Sequence, residues 1–216
     1  YGVTKCITTT DSQKEYINNL FPSIQTDVIK PSIPEYFKPS KKPKTPLVAI
    51  HTRDPRDTMK IIKEFYLRNP QFKWLTFRDM RNVGREEFAK ILGESCVGVW
   101  VDRVSGFGTF PLEAMACNTP VIGNLPILKP DWLNQENGLW VYDESKIGEV
   151  LGNYVKNWLE DNLPPKLYDE MAKTVVPYTE ENERNEVVSY FKNLFKEKTE
   201  EFNNSINKLS PVGANA

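Results

Sequence analysis

Apolar positions along this chain of 216 residues recur in blocks whose spacing switches between that of strands and that of helices. Residues 47–51 form a short apolar run, the length of a buried parallel strand. A helical stretch follows over about 57–69, with Ile61, Ile62, Phe65 and Tyr66 on one face and Pro70 as its stop. The pattern then predicts a strand at 73–77, a helix at 85–92 and a strand at 97–101. A glycine turn at 105–108 leads into a helix over about 109–117, and further strands follow at 120–123 and 137–142. Such alternation predicts an α/β fold: a doubly wound, Rossmann-like parallel sheet with helices on both faces.

Flanking this centre, residues 1–30 read as strand (5–9), helix (12–20, capped by Asp11) and strand (26–29). Residues 38–46 are rich in Pro and Lys without apolar content, which predicts an exposed linker whose lysines are solvated. Helices are expected at about 145–159, 165–174 and 180–207. The last carries Val187, Val188, Phe191, Leu194, Phe195, Phe202 and Ile206 near helical period. The chain thus divides into 1–46 (an inter-domain strand, helix and linker), 47–176 (the Rossmann-like domain) and 177–216 (a terminal helix and frayed tail).

Composition narrows the function classes. A net charge of −1 gives no broad surface for nucleic acid. The 3 cysteines are widely spaced and make neither a metal motif nor a disulfide framework, so reduced thiols and a cytoplasmic setting are expected. No apolar run approaches the roughly 20 residues that span a bilayer, so no transmembrane segment is expected. The first residue is Tyr1 rather than methionine, and the chain reads as a fragment or processed product.

Ligands of doubly wound sheets sit beyond the carboxyl ends of the strands. Arg53, Arg56, Arg78 and the 105–109 turn all follow predicted strands and so gather at that edge. Gly106 and Gly108 let backbone approach a ligand, and Pro111 suits the first helical position. The free amides and positive dipole end at that helix start make a seat for phosphate. Ser105, Gly106, Phe107, Gly108 and Thr109 are donor-side candidates, and Glu113 is placed to accept hydrogen bonds from ribose hydroxyls. Arg53 and Arg56 supply forked cations for a diphosphate. Asp102, at the mouth of its strand, is placed to orient a sugar hydroxyl or Arg103. His51, Trp132 and Trp140 read as packing residues, and no Ser-His-Asp set, metal cluster or Walker loop is present.

The segment from Ser105 through Glu113 to Ile122, SGFGTFPLEAMACNTPVI, resembles the donor-site signature of family 4 glycosyltransferases, whose fold is GT-B. Glu113 matches the family's second glutamate, the ribose ligand. Ser105 stands where the family has its first glutamate, near the donor sugar, and Asn118 replaces a common glycine. The resemblance implies one half of a GT-B fold that binds a nucleoside-diphosphate sugar. It further implies metal-independent, retaining transfer in which Arg53 and Arg56 stabilise the leaving diphosphate. No cofactor beyond the substrate is implied. The acceptor-binding N-terminal domain would be missing from the chain, and that domain would place the enzyme in the cytoplasm, at the inner membrane surface. The isolated fragment is then expected to be inactive. Two rivals stay open: a non-catalytic nucleotide-sugar or protein-interaction module, motivated by Ser105, and a nucleotide-sugar epimerase.

Overall fold

The computed structural model describes residues 2–209, with side chains described through 206. Thr10 caps α1 (Asp11–Leu20), its hydroxyl accepting from the Gln13 amide at 3.2 Å. Asp11, expected as the cap, is the first helical residue, where its charge still favours the dipole. This helix connects β1 (Lys5–Thr8) to β2 (Gln25–Val28), which pair in parallel as a separate two-stranded sheet.

The main sheet holds β3 (Thr45–Thr52), β4 (Thr76–Asp79), β5 (Ser95–Val101), β6 (Val121–Asn124) and β7 (Leu139–Val141). Its order is β4-β3-β5-β6-β7 and every pairing is parallel. All residues of β5 are buried, as befits the middle strand of a sheet covered on both faces. One face carries α2 (Pro55–Arg68) and α5 (Ile147–Leu159). There Val48, Ile50, Val97 and Val99 pack with Ile61, Phe65, Leu151 and Val155. The other face carries α3 (Arg85–Glu94), α4 (Thr109–Ala116) and α6 (Pro165–Val175), which bury Ala89, Leu92, Leu112, Met115, Leu167 and Met171 over Ala49, Trp100 and Val121. Each fully buried Val, Leu, Ile, Phe or Met side chain among them contributes about 1.5–3 kcal/mol. The expected doubly wound α/β sheet is the observed fold.

Strand order reverses at β3: the chain passes from β3 to β4 on one side, then returns to β5 on the other. The carboxyl ends of β3 and β5 therefore form the switch point where such sheets bind ligands. The last helix, α7 (Glu180–Leu209), runs back to the N-terminal segment. Glu186 accepts from the Lys30 amide at 2.8 Å and Glu183 from the Ser32 amide at 3.1 Å. The tail expected to fray lies, from residue 210, outside the described residues.

One linker expectation is overturned. Lys44 is half-buried, and its ammonium donates to the Cys117 carbonyl at 3.0 Å and the Thr119 hydroxyl at 2.5 Å. It neutralises the C-terminal end of α4, and burial lowers its pKa to about 8. A sequence count of lysines could not separate this one from its solvated neighbours.

Candidate functional site

The switch point is built around Asp102, the residue after β5. Its amide donates to the Asn124 side chain at 3.1 Å, tying the end of β5 to β6. Its carboxylate accepts from the Val104 and Ser105 amides at 3.1 and 3.0 Å, which shapes the approach to the glycine turn. The same carboxylate takes a two-pronged hydrogen bond from Arg53, at 3.2 and 2.9 Å. Asp102 thus holds Arg53; Arg103, the partner considered from sequence, turns away to Asp57 and Glu144.

The turn enters α4 at Thr109, as expected, but Pro111 is not its first residue. Gly108 adopts φ +70° and is the N-cap, so Thr109 opens the helix and Pro111 is its third residue. Glu113 accordingly lies on the second turn rather than at the tip. No side chain caps α4, which leaves the Thr109 and Phe110 amides without intrahelical acceptors. The Gly108 amide, in contrast, donates to the Ser105 hydroxyl at 3.0 Å, and the Phe107 carbonyl accepts from Trp132 at 2.6 Å. Gly106 faces Gln13 of α1 so closely that a Cβ there would run into its amide. The Ser105 and Gly108 amides are therefore spent within the turn, whereas the amides of Gly106, Phe107, Thr109 and Phe110 have no acceptor among the described residues.

Beside this helix start lies a cavity of about 450 Å³, lined by Glu113 and Thr109 together with His51, Arg85, Tyr36 and Phe88, among others. Glu113 is half-buried, and burial raises its pKa to about 7 against a small opposing pull from Arg85. None of the hydrogen bonds of the described residues satisfies its carboxylate. A groove of about 490 Å³ between β1, β2 and α7 shares no residue with this cavity.

The expected residues therefore fall into groups. Glu113 and Thr109 share the cavity; Arg53 and Asp102 stand together at the strand ends. Arg56 is bound to its own N-cap neighbour Asp54, its guanidinium 2.6 Å from the carboxylate and its side chain 90% exposed. Asp54 is held near a pKa of about 2 by the Arg56 guanidinium and amide. Arg78 lies inside β4, in register with Ala49, because that strand runs on to Asp79. It does not follow the strand, as its placement from sequence required. Arg81 does, paired there with Asp79. Arg81, Arg85 and the aromatic pair Tyr36 and Phe37 escaped the sequence reading; the signals were a charged residue directly after Gly84 and two rings after a proline turn. Trp132 and Trp140 pack with Trp100, as expected.

No family model matches the chain. A 99-residue stretch is 32% identical to an alpha-1,6-glucosyltransferase of Actinobacillus pleuropneumoniae serotype 7 (strain AP76), covering 45% of this chain and 30% of that protein. The structure is similar to the pneumococcal O-GlcNAc transferase GtfA in complex with UDP and GlcNAc, with a TM-score of 0.62 and 14% identity, over 90% of this chain and 45% of that one. It is also similar to the C-terminal domain of a glycosyl transferase group 1 family protein (LpcC) from Francisella tularensis. There the TM-score is 0.51 and the identity 14%, over 68% of this chain and 97% of that one. The fold is half of GT-B. The chain accordingly spans less than half the length of the glucosyltransferase and of GtfA.

Proposed function

We propose that the chain is the donor-binding half of a glycosyltransferase resembling family 4, taking a nucleoside-diphosphate sugar at the carboxyl ends of β3 and β5. The observation that carries this reading is Glu113, half-buried in a cavity beside an uncapped helix start and without a hydrogen-bond partner among the described residues. In this role its carboxylate accepts the two ribose hydroxyls. The Thr109 and Phe110 amides and the α4 dipole take a phosphate, and Arg53 turns from Asp102 to the other. Arg56, further out, adds charge to the rim. Transfer is retaining and needs no metal: Arg53 and the helix start stabilise the leaving diphosphate. The acceptor is bound by an N-terminal domain outside this sequence, in the cytoplasm and at the inner membrane surface, and without it the chain does not turn over. Nucleotide-bound GtfA supports the donor side of the reading, and the glucosyltransferase relative supports the transfer. Among the described residues no helix is long and apolar enough to cross a membrane.

A second reading, a module that binds nucleotide sugars without transferring them, is favoured by the Ser105 hydroxyl. It serves the turn through Gly108, where the family signature has a glutamate facing the sugar.

Calorimetric titration with UDP, GDP and ADP tests the proposal. One of the three is expected to bind, and Arg53→Ala to weaken it by about 10-fold or more, the worth of a charge-assisted pair. Arg56→Ala is expected to cost less, and Asp169→Asn, on the exposed face of α6, nothing. No binding by the wild-type chain, or equal losses at Arg53 and Asp169, refutes the site. Binding without turnover after an N-terminal domain is supplied favours the module.

A further inference from the structure

His51 is the chain's single histidine and the penultimate residue of β3. It lies on the sheet face that α4 covers, where its ring stacks on Phe110 with centroids 5.4 Å apart and planes 15° from parallel. Phe110 is the second residue of α4. The imidazole and the open amides of the first helical turn therefore border the same end of the cavity that His51 lines.

Its two ring nitrogens are not equivalent. Nδ1 is buried and has no hydrogen-bond partner. Nε2 is free of that burial and bonds to none of the described residues, which makes it the nitrogen presented to the cavity. A buried nitrogen without a partner costs less as a lone pair than as an unmet N–H. The proton of the neutral ring therefore belongs on Nε2. An imidazolium would place a second N–H where nothing accepts it.

The charges around the ring do not reverse this. Asp79 at the end of β4 and Asp102 after β5 pull the imidazole upward in pKa, and Arg81 and Arg53 push it down. Burial outweighs them and leaves it below the ordinary histidine value. Arg85 of α3 and Glu113 of α4 complete the titratable groups of the cavity, with Tyr36 from the segment before β3.

We propose that His51 is a ligand-binding residue whose neutral Nε2–H donates a hydrogen bond to a phosphate oxygen of the bound nucleoside diphosphate. This role rests on the nucleotide-binding reading above. A neutral donor has no proton to lose near neutrality, so its contribution stays level from pH 7 to pH 9, where that of a histidinium would decay.

The test is calorimetric titration of the full chain with uridine, UMP and UDP, and with the guanosine and adenosine series, for wild type, His51→Phe and His51→Gln. Phenylalanine keeps the stack on Phe110 and removes the donor; glutamine restores an N–H near the Nε2 position. For His51→Phe, diphosphate affinity is expected to fall about 10-fold, with nucleoside affinity unchanged and partial recovery in His51→Gln. With one histidine, the imidazole ¹⁵N spectrum is unambiguous, and it is expected to report the Nε2–H tautomer and to shift with UDP but not with uridine. Equal losses for uridine and UDP, no loss in His51→Phe, or a proton on Nδ1 overturns the role. A wild-type chain that binds none of the nine ligands overturns the nucleotide reading itself, a result distinct from all of these.

Discussion

Glu113 couples stability to ligand binding through one proton. Burial lifts its pKa from 4.5 to about 7, so the folded chain holds a proton there that the unfolded chain gives up earlier. The stability this contributes is full below about pH 4.5 and lost as pH rises through about 7. Ribose hydroxyls need the carboxylate as acceptor, so nucleotide affinity is expected to rise over the range in which the unliganded fold weakens. Glu113→Gln, neutral at every pH, separates the two. Its melting temperature is expected to match wild type near pH 5 and exceed it near pH 8, by a free energy of at most about 3 kcal/mol. Its nucleotide affinity is expected to fall below wild type near pH 8 and to approach it near pH 5, where Glu113 is itself neutral. Thermal melts at the two pH values check the first part; a variant that tracks wild type at pH 8 shows that the carboxyl group is not desolvated. Lys44 obeys the same logic without a ligand: Lys44→Ala strips the Cys117 carbonyl and Thr119 hydroxyl of their donor. A loss of about 1–3 kcal/mol in denaturant unfolding is expected.

At the scale of elements, the glycine turn and α4 form one device whose parts were unequally legible in the sequence. Strand-turn-helix-strand over residues 95–124 was readable, because a fully buried strand, two glycines and an apolar helix leave few alternatives. So was the placement of Glu113 beside a helix start. The hydrogen bonds were not. Whether the turn's amides face a ligand or the turn itself depends on where the Ser105 hydroxyl and the Asp102 carboxylate point, and those directions are set by contacts distant in the chain. Arg56 and Arg78 lie elsewhere than expected for the same reason: a helix start two residues earlier, or two more residues of strand pairing with β3, re-aims a side chain entirely. Gly108 is where the device is most constrained. At φ +70° with Trp100 2.8 Å from the position of an added Cβ, it admits no side chain. Gly108→Ala is expected to cost at least about 2 kcal/mol, the sum of backbone strain and a clash with a buried indole. Equilibrium denaturation measures this, and a near-neutral result would mean the turn adopts another conformation.

The whole molecule joins two bodies of unequal strength. In the main sheet, β3 and β5 are paired on both edges and buried on both faces. The small sheet has only β1 and β2, its helix α1 buries no residue, and Ile7, Tyr16, Leu20 and Phe21 stay exposed. A two-stranded sheet is marginal alone, so its order derives from its attachments. Asp131 accepts from the Asp11 amide at 2.7 Å, the Ser12 hydroxyl donates to the Lys129 carbonyl at 2.8 Å, and Gln13 packs on Gly106. The acids of α7 hold the segment behind it. Opening of the small sheet should therefore need these polar contacts and the Lys5–Glu197 ion pair to break, whereas opening the main sheet exposes its core. Amides of Ile7, Thr8, Asp27 and Val28 are expected to exchange hydrogen at least roughly 100-fold faster than those of Val48 to Ile50 and Val97 to Val99, a gap of about 2.7 kcal/mol in opening free energy. Because Gln13 lies on the glycine turn, a nucleotide that orders that turn should also slow exchange in α1. Uniform protection across both sheets would instead identify a single cooperative unit and remove the reason for treating the first 30 residues as a separate body.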